Sequence, residues 1–306
     1  MALNMDFVCP TEVENTILGE LDNAYTKVSE MSFEERAFLN ALILRNEPRK
    51  LLEIGVSSGG SSIVILNAIK SIPDAELYSI DLNDHWYKDN EKKTGYFVDN
   101  YQYLKSKWKL FTGALTLKFI EQIGSGIDFC LIDTAHVNPG EILDVLMVLP
   151  FLEDNAIIIF HDTALHTHYY LDKKIFLGER AITNNLLMSS VTGKKYLQGN
   201  YNITGKNFFP NIGGIKLSKN AKENVFEIFN LLMIKWTYLP TKEQEEDIIT
   251  FLGGYYDKYY IEYLKKVFIY QRKIMAFNKR NKIKSFVKKA LGEKNIMRIK
   301  KIMGKI

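Results

Sequence analysis

Four polar side chains stand at the ends of two apolar runs, where strands of a sheet are expected to stop. Asp133 and His136 follow the run Ile-Asp-Phe-Cys-Leu-Ile, and His161 and Asp162 follow the run Ala-Ile-Ile-Ile-Phe. Neighbouring strands lie about 4.8 Å apart. Two carboxylates at the same ends of adjacent strands repel each other unless one takes up a proton or both share a cation. The spacing therefore predicts a divalent cation between Asp133 and Asp162.

The same residues are the candidates for proton transfer. Oxygen ligands suit Mg²⁺, whereas an imidazole at His161 suits Mn²⁺, Fe²⁺ or Zn²⁺ better. We expect Asp133, His161 and Asp162 as metal ligands. A metal lowers the pKa of a bound hydroxyl, and a histidine with a pKa of about 6.5 can take the proton, so His136 and Asp133 are the predicted catalytic residues. The alternative is that the acids only cap helices and His136 only binds backbone.

A glycine turn follows an earlier apolar run, Lys50–Ile54, in the order Glu53-x-Gly55-x-x-x-Gly59. The G-x-G-x-x-G spacing of dinucleotide sites is absent, and no lysine supplies the phosphate contact of a P-loop. Backbone N–H groups at the start of the next helix can instead meet a carboxylate. Asp81 ends the following strand, at a place where an acid typically accepts hydrogen bonds from ribose hydroxyls. The alternative is that these glycines only join a strand to a helix.

The elements that must position these side chains alternate between short apolar strands and helices. This alternation predicts an α/β fold, a Rossmann-like, doubly wound and mostly parallel sheet with N-terminal helices and a helical C-terminal extension. The first fifty residues are predicted to be helical, with a capping box at Ser32–Glu35 before a helix over 33–46. Late strands over 195–198 and 214–217 are predicted as an antiparallel edge pair. We expect an N-terminal helical cap at 1–48, a ligand-binding domain at 49–218, a helical region at 219–280 and a basic amphipathic tail at 281–306.

The glycine turn together with Ser79-Ile-Asp81 resembles the first two motifs of class I S-adenosylmethionine (SAM) dependent methyltransferases. The strand-end acids resemble the metal-dependent subgroup typified by macrocin O-methyltransferase, with the cephalosporin hydroxylase-like and rhamnosyl O-methyltransferase-like proteins nearby. The resemblance covers about 38–163, and the chain departs from it at His161 and Ala135, where acids are usual. It implies a SAM site formed by Glu53, Gly55, Ser57, Gly59, Asp81, Gly113 and Ala114.

The resemblance implies a SAM-dependent methyltransferase, with metal-assisted O-methylation of a hydroxyl on a sugar or surface glycan. Mg²⁺ or Mn²⁺ is the expected cofactor beside SAM. The alternatives are methylation of a small-molecule natural product and a SAM-binding interaction protein without catalysis. A hydroxylase activity has little support, because no 2-His-1-carboxylate motif is evident. The aromatic residues His85-Trp86-Tyr87 either shape the acceptor pocket or only pack.

The charge of the chain is concentrated at one end. From 272 onwards there are 13 Lys or Arg residues and one acid, which leaves 27 basic and 35 acidic residues in the remainder. A basic amphipathic helix is typical of contact with an anionic membrane surface. We therefore expect a cytoplasmic protein, membrane-associated at the inner face through this tail. No base-reading motif accompanies the charge, so nucleic acid is not an expected partner. A homo-oligomer is an open alternative, and the tail's charge can also reflect a lysine-rich composition.

Overall fold

The computed structural model describes residues 4–21, 29–167, 181–199 and 210–291, with backbone alone for 280–291. Ten strands are assigned in this part of the chain: β1 Met5–Val8, β2 Lys50–Ile54, β3 Glu76–Asp81, β4 His85–Trp86, β5 Asp89–Lys93, β6 Trp108–Thr112, β7 Ile127–Ile132, β8 Leu152–His161, β9 Gly193–Gln198 and β10 Ile212–Leu217. The α-helices described are α1 Glu12–Gly19, α2 Phe33–Asn46, α3 Gly60–Ile69, α4 Ile120–Ile123, α5 Gly140–Val148, α6 Thr183–Ser190, α7 Phe226–Leu231, α8 Lys242–Gly253 and α9 Lys258–Leu291.

Eight of the strands form one sheet in the order β1-β9-β10-β8-β7-β2-β3-β6, and β4 and β5 form a separate hairpin. The strands β8, β7, β2, β3 and β6 are mutually parallel, so their carboxyl ends lie along one edge. From β2 the chain moves outward to β3 and β6 and then returns to β7 on the other side of β2. Ligands of open parallel sheets bind at such a reversal. The predicted Rossmann-like, doubly wound fold is confirmed.

The central strands β2 and β7 and the second half of β8 are mostly apolar and buried, because both of their faces are covered. Successive side chains point to opposite faces of a strand, and Leu51 and Leu52 accordingly enter different hydrophobic clusters. One cluster includes residues of α1, α2 and α3, and the other includes residues of α5 to α9. Burial on both faces leaves little freedom for register, since a slip by one residue would exchange the two clusters.

The N-terminal part departs from the all-helical prediction. The strand β1 pairs parallel with β9 at the edge of the sheet, so the prediction that the first fifty residues are helical is wrong there. The helix α2 has the predicted bounds and begins with the capping box of Ser32 and Glu35. Two more boxes of this kind cap α1, through Thr11 and Glu14, and α8, through Thr241 and Gln244. The late strands β9 and β10 are antiparallel, as predicted, but β1 lies outside them.

The C-terminal helix α9 runs without a break through the predicted boundary at 280, and residues 292–306 of the predicted tail lie outside the described residues. The fully buried Gln271 holds this helix to the chain segment after α7. Its amide N–H groups donate to the carbonyls of Leu232, Met233 and Ile234, and its Oε1 accepts from the Trp236 N–H. None of the described helices is long and apolar enough to cross a membrane.

Candidate active site

The glycine turn joins the end of β2 to α3, and it lies against the end of β7. Gly55 has a φ of +91°, and a Cβ built there would lie 1.8 Å from the backbone oxygen of Asp133. Any side chain larger than hydrogen would therefore push apart the two strand ends that carry the predicted motifs. Gly59 has a φ of +98° and caps α3, where a Cβ would meet Val98 at 2.9 Å. The two glycines are required by backbone conformation and close packing.

Asp81 holds the turn in shape. Its Oδ2 accepts hydrogen bonds from the backbone N–H groups of Val56, at 2.8 Å, and Ser57, at 3.0 Å, and its Oδ1 accepts from Asn83 N–H at 2.8 Å. A carboxylate has about four lone-pair sites, so Asp81 keeps acceptor capacity toward a ligand. The Ser57 hydroxyl accepts from the Trp86 indole N–H at 3.1 Å, which ties the β4–β5 hairpin to the turn.

Glu53 lies beneath the turn and is fully buried. Its carboxylate accepts hydrogen bonds from the hydroxyls of Ser61, Ser62 and Ser79, each at 2.6 Å. Burial raises the pKa of Glu53 to about 7, against the lowering effect of the three hydroxyls. The carboxyl group therefore organises the start of α3 from below.

A cavity of about 780 Å³ opens above the carboxyl ends of the parallel strands. Six of the predicted site residues line it: Gly55, Ser57, Asp81, Ala114, Asp133 and His136. The predicted cofactor contacts Glu53, Gly59 and Gly113 are not among the described residues that line the cavity. Gly113 instead packs closely on Asp84, since a Cβ there would lie 2.8 Å from the Asp84 carboxylate. The volume falls within the range of about 300–1,000 Å³ that is usual for small-molecule sites.

Part of the cavity wall comes from segments outside the parallel sheet. His85 and Tyr87 of the hairpin line the cavity. This agrees with the prediction that the segment 85–87 shapes a pocket rather than with the alternative that it only packs. The segment between α7 and α8 and helix α8 itself contribute Tyr238, Pro240, Gln244 and Ile248. The sequence analysis missed this second group, because a helical C-terminal region carries no signal of which face meets a ligand.

Three of the strand-end residues come together at the cavity. One ligand atom each of Asp133, His136 and Asp162 lies within 4.8 Å of the others. The His136 Nε2 lies 3.2 Å from Asp162 Oδ2 and 3.8 Å from Asp133 Oδ1. Both His136 and Asp162 have a φ of +55°. Residues other than glycine seldom adopt this left-handed conformation, and those that do are often found at functional sites.

His136 has a buried carboxylate behind its ring. The Glu141 Oε1 accepts the backbone N–H of His136 and lies 3.3 Å from its Nδ1. Burial acts to lower the pKa of His136, but Glu141, Asp162 and Asp133 outweigh it and raise the pKa to about 9. His136 therefore holds a proton at neutral pH unless a cation takes its place. Glu141 was not among the predicted site residues, because a single acid in the first turn of α5 has no sequence pattern that distinguishes it from other helix-start acids.

His161, a predicted metal ligand, is turned away from the cavity and is almost fully buried. Its Nδ1 forms a hydrogen bond of 3.1 Å with Asp133 Oδ1, and its Nε2 lies 3.6 Å from Glu35 Oε2. Burial opposes protonation, but Asp133 and Asp162 outweigh it and hold the pKa of His161 well above its ordinary value. The structure thus groups His136, rather than His161, with the two strand-end acids.

The donor set of this cluster fits a divalent cation. Two carboxylates and one imidazole suit Mn²⁺ or a similar ion better than an all-oxygen set would. A histidine that ligates a metal almost always has a carboxylate, carbonyl or water at its other ring nitrogen, and Glu141 stands in that place behind His136. Asp133, His136 and Asp162 would hold the ion.

The chain matches one family model over the segment that carries most of this site. Residues 52–163 match the model of a family described as a methyltransferase domain. The prediction of a methyltransferase enzyme is confirmed by this match, and the sheet described above is the Rossmann-like sheet of a class I methyltransferase. The matched segment spans the glycine turn, Asp81 and the strand-end residues through Asp162. No curated protein sequence matches the chain.

Several solved structures are similar to the chain. The O-methyltransferase TomG from Streptomyces achromogenes, in complex with SAM, is 15% identical with a TM-score of 0.46, over 67% of this chain and 95% of that chain. A putative caffeoyl-CoA O-methyltransferase from Staphylococcus aureus is 16% identical with a TM-score of 0.45, over 66% and 91%. An O-methyltransferase from Bacillus cereus, in complex with SAH, is 17% identical with a TM-score of 0.43, over 68% and 93%.

Proposed function

We propose that the protein is a SAM-dependent O-methyltransferase that uses a divalent metal to methylate a hydroxyl of a sugar or surface glycan. One observation carries the proposal: a single cavity is lined by the glycine turn and Asp81 and also by Asp133 and His136, and a ligand atom of Asp162 lies within 4.8 Å of theirs. A methyl donor held at the turn and a hydroxyl held at the acids would share this cavity. Holding both reactants in attack geometry removes much of the barrier to their reaction.

The turn has the chemistry that SAM requires. Asp81 fixes the N–H groups of Val56 and Ser57 and keeps lone pairs for ribose hydroxyls. The first backbone N–H groups of an α-helix have no partner within the helix, and at the start of α3 such groups would favour the carboxylate of the donor's methionine part. Ala114 and the residues after it line the cavity beyond β6, in the place that the family resemblance assigns to adenine.

The strand-end group would prepare the acceptor. A divalent ion bound there would lower the pKa of a coordinated hydroxyl. Asp133 and Asp162 supply the negative charge that favours cation binding, and Glu141 fixes the direction of the His136 ring. The contacts of His136 favour a ligand role. Its role as general base is the alternative, in which its imidazole takes the proton from the acceptor hydroxyl.

The sugar acceptor rests on the resemblance to the macrocin O-methyltransferase subgroup, and the alternative acceptor is a small-molecule natural product. Mass spectrometry of surface glycans from cells with and without the gene tests the choice. Loss of methyl groups from a glycan in cells without the gene supports the proposal. Unchanged glycans together with methyl transfer to a small molecule would support the alternative.

Calorimetric titration with SAM, in the presence and absence of Mn²⁺ or Mg²⁺, tests the cofactors. We expect Asp133→Asn and Asp162→Asn to bind SAM nearly as wild type but to lose metal binding and turnover. Asp154→Asn is the matched control, because Asp154 is an exposed acid on β8, the strand that Asp162 directly follows. Absence of SAM binding would refute the methyltransferase proposal. Turnover that survives both Asp133→Asn and chelation would refute the metal's role.

A contact with an anionic membrane surface is proposed for the C-terminal helix. The exposed rings of Tyr259, Tyr270 and Phe277 recur at spacings of 11 and 7 residues, which places them on one face of α9. Exposed lysines, Lys266 and Lys273, lie on the same face. Aromatic rings with interspersed lysines suit the boundary between lipid headgroups and water.

Flotation with liposomes tests this contact. The full chain should float with anionic vesicles at low salt and stay behind with neutral ones. Deletion of 281–306, which removes nine of the 13 basic residues from 272 onwards, should weaken this binding. If the full chain never binds anionic vesicles, the proposal is wrong. A dimer in light scattering that dissociates on the same deletion would assign the helix to self-association instead.

A further inference from the structure

A line of three buried groups runs from the start of α2 to the strand-end cluster. Glu35 Oε2 lies 3.6 Å from His161 Nε2, and His161 Nδ1 lies 3.1 Å from Asp133 Oδ1. Glu35 is 5% exposed and His161 is 3% exposed. The ring of His161 thus spans two carboxylates, one that faces the cavity and one that does not.

The surroundings of His161 hold its ring in this direction. The side-chain amide of Asn184 donates to the His161 carbonyl at 2.6 Å, which fixes the end of β8. Among the described residues, His161 Nε2 has no partner within hydrogen-bond distance. The carboxylate of Glu35 lies just beyond that distance, at 3.6 Å. A carboxylate beside each ring nitrogen keeps the imidazole of His161 in one orientation. In this orientation Nδ1 forms the hydrogen bond to Asp133 Oδ1 and so fixes the direction of that carboxylate.

Capping of α2 does not by itself require a carboxylate at Glu35. The capping box of α8 uses Gln244 at the same position, and its amide oxygen accepts from the Thr241 N–H at 2.9 Å. The capping box of α1 uses Glu14, whose carboxylate pairs with Arg45. Neither of these two residues lines the cavity. Of the three residues at this capping position, Glu35 is the one whose carboxylate lies beside His161, which in turn bonds Asp133.

We propose that Glu35 is a positioning residue for methyl transfer, which acts through His161 to orient the carboxylate of Asp133. This inference rests on the proposed function of the strand-end cluster. It also links α2 to the cavity, because Ser29, Glu30 and Met31, directly before this helix, line the cavity wall. Partners behind a metal ligand typically change metal affinity by about 10–100-fold when they are replaced.

The test compares Glu35→Gln with Glu14→Gln. Both changes place glutamine at the third position of a helix, where Gln244 already completes a capping box, so both variants should keep the wild-type far-ultraviolet circular dichroism. We expect only Glu35→Gln to weaken Mn²⁺ binding, by about 10–100-fold in calorimetry. Its kcat should fall while the KM for SAM stays within about twofold, a split that a general loss of folding would not produce.

A third measurement needs neither metal nor turnover. Nitrogen-15 spectra of the histidine rings, with the His161 signals assigned through His161→Gln, report the environment of Nδ1 and Nε2 directly. Glu35→Gln should shift the His161 signals and Glu14→Gln should not. If wild type binds no metal but this shift occurs, the positioning stands and the metal proposal fails. Unchanged His161 signals, or equal losses of metal affinity in both variants, would overturn the inference.

Discussion

Replacing Gly55 with alanine should destabilise the protein because two strand ends meet at this position. A Cβ would lie 1.8 Å from the backbone oxygen of Asp133, and a backbone atom cannot move aside without moving β7. A left-handed residue other than glycine costs about 1–2 kcal/mol. Relief of the clash also weakens two hydrogen bonds, from Gly55 N–H to Ile80 and from Asp133 N–H to Ile54, at about 1 kcal/mol each. We expect a loss of about 3–4 kcal/mol in the free energy of unfolding.

Thermal unfolding measures this loss. At about 2–4 °C per kcal/mol, the value for chains of about 150–250 residues, Gly55→Ala should lower the Tm by about 6–16 °C. Gly253→Ala is the matched control, since no atom lies within 4 Å of a Cβ there and alanine favours the helix. The control should melt at the wild-type temperature or slightly above it. If the two variants melt together, the close approach of the strand ends is not what requires Gly55.

Three further predictions follow from other buried or bridging groups. The pKa of Glu53 is raised to about 7 in the folded protein, so this group should contribute a loss of up to about 3 kcal/mol of stability as pH rises from about 4.5 to 7; in Glu53→Gln, the fall in stability across this range, measured by urea unfolding, should be smaller than that of wild type by this amount, and equal falls would contradict the raised pKa. Asp81→Asn weakens the hydrogen bonds that two turn N–H groups donate to the Asp81 carboxylate, and calorimetry should show about 10–100-fold weaker SAM binding together with a modest fall in Tm; equal affinity would mean that Asp81 does not organise the ligand site. Gln271→Leu removes four hydrogen bonds. The Leu232 and Ile234 carbonyls keep the Trp236 indole and the Asn138 amide as donors, whereas the Met233 carbonyl and the Trp236 N–H lose the bond to Gln271. The change should cost about 3 kcal/mol in urea unfolding, and an unchanged midpoint would show that water replaces these bonds.

The central sheet was predictable because its local signals agree with its packing. The strands β2 and β3 have the predicted bounds, since each is an apolar run that ends in a glycine turn or an acid. Both faces of these strands are buried, so composition alone identified them. The strand β1 was missed because four residues, of which Phe7 is 61% exposed, carry no alternation that would separate them from a loop.

The composition of the strand-end cluster was less predictable than its location. Strand order brings the ends of β7 and β8 together, and the sequence analysis used that rule. The direction of each imidazole depends instead on the left-handed backbone at His136 and Asp162, and no pattern in the sequence indicates this conformation. Glu35 was correctly predicted as a cap, but its second contact lies 126 positions away along the chain, at His161.

The attachment of α9 through Gln271 has a consequence for where this enzyme can be divided. Tyr238 and Pro240 form part of the cavity wall, and the segment just before them is held by a residue far beyond the stretch that matches the methyltransferase family. A fragment limited to 52–163 would contain the glycine turn and the acids and would still lack this wall. During synthesis, this wall gains its contacts with Gln271 only after residue 271 has left the ribosome and its helix has docked, so the site reaches its full support late.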